Sequence, residues 1–250
     1  MKNKIHNQIN IINYIVSTER FKVIFIMTII LALYGSVILG KGSKNFIDAV
    51  IIPFQFSIFN IFMFSLLFLN TFNTYSTFDK HFSNYIIRLE SKNNYLKEQI
   101  KNTIILNVFY LILFFLLFFI FLNLSKTGIV EIHNYNNYNV NNLVFTLFYL
   151  IRYVVYALLI TTASTLLIAN CKLEFTVCLW LFFLSGFILN PYCATVKDTF
   201  SLNIWNYFGQ IDYSSFMMEL SFSILFGFLL ELIIYILYKL TLKNKKMVIT

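Results

Sequence analysis

The residues whose types and spacing could do chemistry are few. The run from Gly35 to Gly42, GSVILGKG, comes within one position of a phosphate-binding P-loop, whose backbone N–H groups cradle phosphates while a final Ser or Thr ligands the metal. Gly42 occupies that final position, and the run closes an apolar block instead of joining a buried strand to a helix, so it is no nucleotide site. His6, His81 and His133 lie in three separate segments, and neither an HExxH motif nor a GxSxG elbow occurs. Cys171, Cys178 and Cys193 lack metal-ligand spacing and have no His near them in sequence to generate a thiolate. The sequence thus predicts no catalytic residue and no metal ligand, and a chain that is not an enzyme by itself. Two ionisable side chains, Arg152 and Glu231, fall inside apolar blocks, where a charge is costly and normally faces a partner or a water-filled cavity. Each lies about ten residues in from the same end of its block, so at a rise of about 1.5 Å per residue their depths match. A structural ion pair between them is the expectation, and a place lining a pathway is the alternative.

The elements that must position these residues follow from composition. Of 250 residues, 59% are hydrophobic and 12% charged, where an ordinary soluble domain has about 45–50% and 25%. The apolar residues form long blocks with only 2 Pro and 7 Gly among them, which excludes a soluble catalytic domain, and 3 Cys exclude a disulfide scaffold. A bilayer core of about 30 Å takes roughly 20 apolar residues per helix. Six blocks qualify, at 23–39, 50–72, 103–124, 143–169, 175–189 and 220–240. The expected fold is all-α, a polytopic membrane protein of one transmembrane domain over 1–250 with six transmembrane helices. The fifth block ends at Asn190 and Pro191, leaving 190–219 as an aromatic, semi-polar extracellular segment of helical or re-entrant character. The first block is too long for a signal peptide and has no small-residue cleavage site, so it reads as a retained span.

The net charge of +8 takes its meaning from position. Fourteen of the 19 basic residues fall on the side that carries both termini, four on the other, and Arg152 lies within a block. That is the positive-inside pattern, which predicts a cell-membrane protein with both termini cytoplasmic and excludes nucleic acid as a partner. On the same side, Ile5, Ile9, Ile12 and Val16 follow a helical period, so 1–22 reads as an amphipathic leader in the membrane interface. The cytoplasmic loop 73–101 repeats the pattern with Phe78, Phe82, Tyr85 and Leu89, while Asp79, Lys80, Asn84, Arg88 and Lys92 supply the polar remainder. A short helix of this kind can dock a cytoplasmic partner or rest on lipid headgroups. The Asn/Tyr tract 133–142 reads as a solvated connection.

The leader, the six spans with both ends inside, the aromatic segment before the last span, and the stretch 85–97, YIIRLESKNNYLK, together resemble the small membrane subunits of ABC exporters of the ABC-2 type. The resemblance covers nearly the whole chain in layout, and its sequence signal is confined to that loop. It implies a coupling helix carrying Phe78, Phe82, Tyr85, Arg88 and Leu89, a separate cytoplasmic ATP-binding subunit that holds ATP and Mg, and a second permease subunit, identical or diverged. It also implies an amphipathic or antimicrobial peptide as cargo, exported or cleared from the membrane as in bacteriocin and lantibiotic immunity of Gram-positive producers. This chain would hold no cofactor, and membrane lipids would surround it. A stand-alone immunity or sensor protein and an ion-coupled carrier are the competing expectations.

Overall fold

In a computed structural model, residues 13–40, 46–81, 92–125, 142–171, 173–193 and 216–243 are described, and among them there is no strand. The helices are α1 (Glu19–Leu33, continued as a π-helix over Tyr34–Leu39), α2 (Phe46–Gln55), α3 (Ser57–His81), α4 (Lys92–Leu124), α5 (Asn142–Asn170), α6 (Leu173–Cys193) and α7 (Phe216–Lys243). Five stretches are long and apolar enough to cross a membrane: Glu19–Leu39, Ser57–Phe78, Asn93–Leu124, Leu143–Asn170 and Phe216–Lys243. This is the build of a multi-pass membrane protein. The fifth apolar block does form a helix, but its apolar stretch, Glu174–Phe187, is shorter than these. That helix also runs past Asn190 and Pro191 to Cys193.

Apart from the short α2, the helices alternate in direction along the chain. Contacts between Asn70 and Asn107 and between Met63 and Tyr110 set α3 antiparallel to α4, while Phe68 on Trp180 and Phe64 on Phe187 set α6 antiparallel to α3. Helices α5 and α7 are parallel, since Arg152 meets Glu219 near one end and Asn170 meets Thr241 near the other. The start of α1, the end of α3, the start of α4 and the end of α7 therefore share one end of the bundle. Arg20, Lys22, Lys97, Lys101, Lys239 and Lys243 all lie there, and it is called the basic end below.

Local chemistry sets the boundaries. Thr18 caps α1, its Oγ1 accepting from the Phe21 N–H at 3.3 Å. The block 50–72 is not one helix: it breaks at Phe56, three residues after Pro53. Proline removes a backbone donor and crowds the preceding turn, which weakens the ladder at that point. The Asn60 side chain then donates to the Phe54 carbonyl at 2.6 Å, satisfying an acceptor freed where the helix stops. In the π-helix, Gly35 has no room for a side chain, because a Cβ there would stand 2.7 Å from Phe59 Cε2.

Of the short helix expected over 78–89, residues 78–81 belong to α3 and 82–89 lie outside the described residues. Helix α3 continues unbroken to His81, two and a half turns past the block's expected end at 72. Its extension buries Asn73, Thr74 and Thr77, so residues that look like a membrane boundary are instead the inner face of a helix. Of the leader, 13–17 is helical with Ile15 fully buried, while Ile5, Ile9 and Ile12 lie outside the described residues.

Candidate functional site

Two parts of the interior differ in kind. Away from the basic end, Phe54, Phe59, Phe64, Phe114, Phe118, Tyr149 and Tyr153 are all essentially buried and pack edge-on or tilted on one another. Phe54 is the hub, with ring centroids 5.3 Å from Phe59 and 4.8 Å from Tyr153. In hydrocarbon there is no hydrophobic drive between helices, so close packing and buried hydrogen bonds must hold them. Two hydroxyls here are paired: that of Tyr153 donates to Asn60 Oδ1 at 3.1 Å, and that of Tyr110 to Met63 Sδ at 3.6 Å.

Toward the basic end the inward faces of α3 and α4 turn polar. Asn70 Nδ2 donates to Asn107 Oδ1 at 2.8 Å, and Asn107 Nδ2 to Thr71 Oγ1 at 3.0 Å. Gln99, Thr103 and Asn107 recur four residues apart along one face of α4, with Asn102 beside them, all fully buried. Asn70 Oδ1, Gln99 Oε1, Thr103 Oγ1 and both polar atoms of Asn102 have no hydrogen-bond partner. Each such atom costs about 1–3 kcal/mol of desolvation. Beneath this seam a second apolar cluster of Ile15, Phe78, Tyr95, Leu96 and Leu106 closes the end.

The membrane-depth charges do not pair as the sequence suggests. Arg152, 3% exposed, bonds Glu219 at 2.5 Å, and its Nη1 reaches Ser223 Oγ at 3.3 Å. Its guanidinium lies 5.5 and 5.2 Å from the Phe148 and Tyr149 ring centroids. Glu219 sits in the first turn of α7, where the helix dipole favours an acid. The sequence placed it in the outer segment because it precedes the last apolar block, and so hid it as a partner. Glu231 is three turns farther along α7 and exposed. At the middle of a span such a group costs roughly 2.5–3.5 kcal/mol on insertion scales.

Of the coupling residues, Phe78 is buried, its ring centroid 5.7 Å from that of Tyr95. Phe82, Tyr85, Arg88 and Leu89 lie outside the described residues. What the sequence missed is how this end is fastened. Asn73 Nδ2 donates to Thr18 Oγ1 at 3.2 Å, Arg20 Nη1 reaches Ser76 Oγ at 3.5 Å, and the Tyr238 hydroxyl bonds Asn93 Oδ1. The end of α3 is thereby tied to the first helix and the start of α4 to the last. On the outer surface of α4, Lys97 and Lys101 flank a shallow apolar groove lined by Ile100, Ile104 and Ile105.

Among the described residues, no group of three or more His, Cys, Asp or Glu is placed to hold a metal ion. No family model matches the chain, and no curated protein or solved structure is similar to it.

Proposed function

We propose that this chain is the membrane-spanning permease subunit of an ATP-driven exporter of the ABC-2 type, working with a separate cytoplasmic ATP-binding subunit and a second membrane subunit. The observation that carries the reading is the fastening of the α3 and α4 ends to α1 and α7 through Asn73, Thr18, Tyr238 and Asn93. A motor that pushes on 82–91 pushes on both helices that flank it, and those contacts pass the displacement to the first and last helices. In this reading the basic end faces the cytoplasm, where its Lys and Arg belong by the positive-inside rule. Phe82, Tyr85, Arg88 and Leu89 meet the ATP-binding subunit, while Phe78, being buried, acts as a positioning residue for α3. ATP and Mg stay with the partner, and the cargo is an amphipathic or antimicrobial peptide.

Such a permease needs no reactive group. Closure of the motor shifts a bistable helix bundle between two packings, which alternates access from leaflet to outside. Anionic lipid fits the groove between Lys97 and Lys101, with headgroup on the ammonium groups and acyl chain on the isoleucines.

The test is co-purification followed by reconstitution. The full chain is expected to bring down an ATP-binding subunit and to support ATP-dependent movement of an amphipathic peptide in vesicles. Charge reversal at Arg88 together with Phe82→Ala should abolish both. Association and transport that survive that double change would sink the proposal.

A further inference from the structure

Arg152 is already committed to Glu219, which leaves Glu231 as a membrane-depth carboxyl with no ion-pair partner among the described residues. Its neighbours one turn away on α7 are Gly227, Phe228, Ile234 and Tyr235, none basic. The backbone of Lys239 is two turns on, about 12 Å along the axis, and its ammonium is held over the Tyr235 ring, 5.4 Å from the centroid, without an ion pair to Glu231. The face of α7 that carries Glu231 is bare of protein: Phe228 is 64% exposed, Leu232 54% and Tyr235 58%. Only 11% of this span is buried, against 56% of the Ser57–Phe78 span.

We infer that this face of α7 seats a transmembrane helix of a different polypeptide, one that presents a Lys or Arg at mid-span to Glu231. Charge complementarity selects that occupant. A second copy of this chain brings no free cation at that depth, since its apolar blocks hold only Arg152, 3% exposed and paired in each copy, and Lys239, which lies at the basic end. Two copies docked through α7 would set carboxyl against carboxyl. Acyl chains offer no hydrogen-bond donor at all. A guanidinium or ammonium on a neighbouring helix answers the charge. The inference extends the proposed function, which calls for a second membrane subunit, by making that subunit a diverged one with a basic residue at a stated depth.

The experiment uses the full chain, in membranes of the cell that makes it, with a photo-crosslinking phenylalanine analogue at Phe228. The expected adduct is with a different membrane-spanning chain that carries Lys or Arg in mid-span. Glu231→Lys should cut its yield at least tenfold, and changing the partner's basic residue to Glu should restore it. Glu231 is exposed, so an unchanged melting curve of the variant in detergent verifies that the fold is intact. An adduct with a second copy, with lipid alone, or with a chain lacking a mid-span cation would overturn the inference, as would a yield unmoved by charge reversal. Association of the ATP-binding subunit is scored on the same samples. Its loss with the crosslink intact rejects the permease reading alone, and its retention with a self-adduct rejects this inference alone.

Discussion

The two ends of the bundle interior are built on opposite principles. Around Phe54 the helices are locked by interdigitated rings and by the Tyr153 hydroxyl, which finds its acceptor in Asn60. Around Asn102 they meet through amides and hydroxyls, several of which find nothing. Interlocked rings resist any relative displacement, because close-packed interiors repack in discrete steps. A seam with unsatisfied groups has other arrangements within reach at little cost, since rotation can exchange one unpaired atom for another. The difference assigns rigidity to the aromatic end and adaptability to the basic end, where the proposed motor would act.

Substitutions can break or sharpen this contrast. The largest effect is expected at Glu219: Glu219→Leu strands the buried Arg152 and should cost about 3–5 kcal/mol in thermal unfolding in detergent. Adding Arg152→Met should recover most of that loss, and a double variant as unstable as the single one would show that the two do not act as a pair. Next comes Gly35→Ala, whose new Cβ meets Phe59 at 2.7 Å. Overpacking there should lower stability by about 1–3 kcal/mol, and an unchanged melting temperature would mean that the aromatic end is not close-packed. Tyr153→Phe removes the donor to Asn60 and should cost about 1 kcal/mol. Asn102→Leu should do the reverse and raise stability by up to about 1 kcal/mol, because it deletes two buried polar atoms that have no partner. If Asn102→Leu destabilises as much as Tyr153→Phe, the contrast between the ends collapses.

The sequence carried the class of the molecule because long apolar blocks admit few solutions, and every block folds as helix. It carried the gathering of basic residues at one end because charge cannot be placed elsewhere cheaply. It did not carry the length of α3. Asn70, Asn73, Thr74 and Thr77 look like an exit from the membrane by hydropathy, which cannot distinguish a polar residue facing water from one facing another helix. Nor could it divide the block 50–72, since Pro53 can as easily kink a helix as end it, and the outcome turned on Asn60 reaching the Phe54 carbonyl. The mispairing of Arg152 has a similar origin. Glu231 matched it in depth, but Glu219 matched it in face, and only the crossing of α5 with α7 decides which carboxylate is within reach.

That crossing has a mechanical consequence. Helices α5 and α7 run in parallel and are joined near one end by Arg152 with Glu219 and Tyr156 with Ser223, and near the other by Asn170 with Thr241. Sliding one helix by a single residue, about 1.5 Å, would strain all of these joints together. The pair therefore has no freedom to shear and is left with tilting and rolling as one stiff beam. In the proposed permease, a push on Asn93 would pass through Tyr238 to the foot of that beam, and its head, some 30 Å away, would swing by leverage rather than by translation.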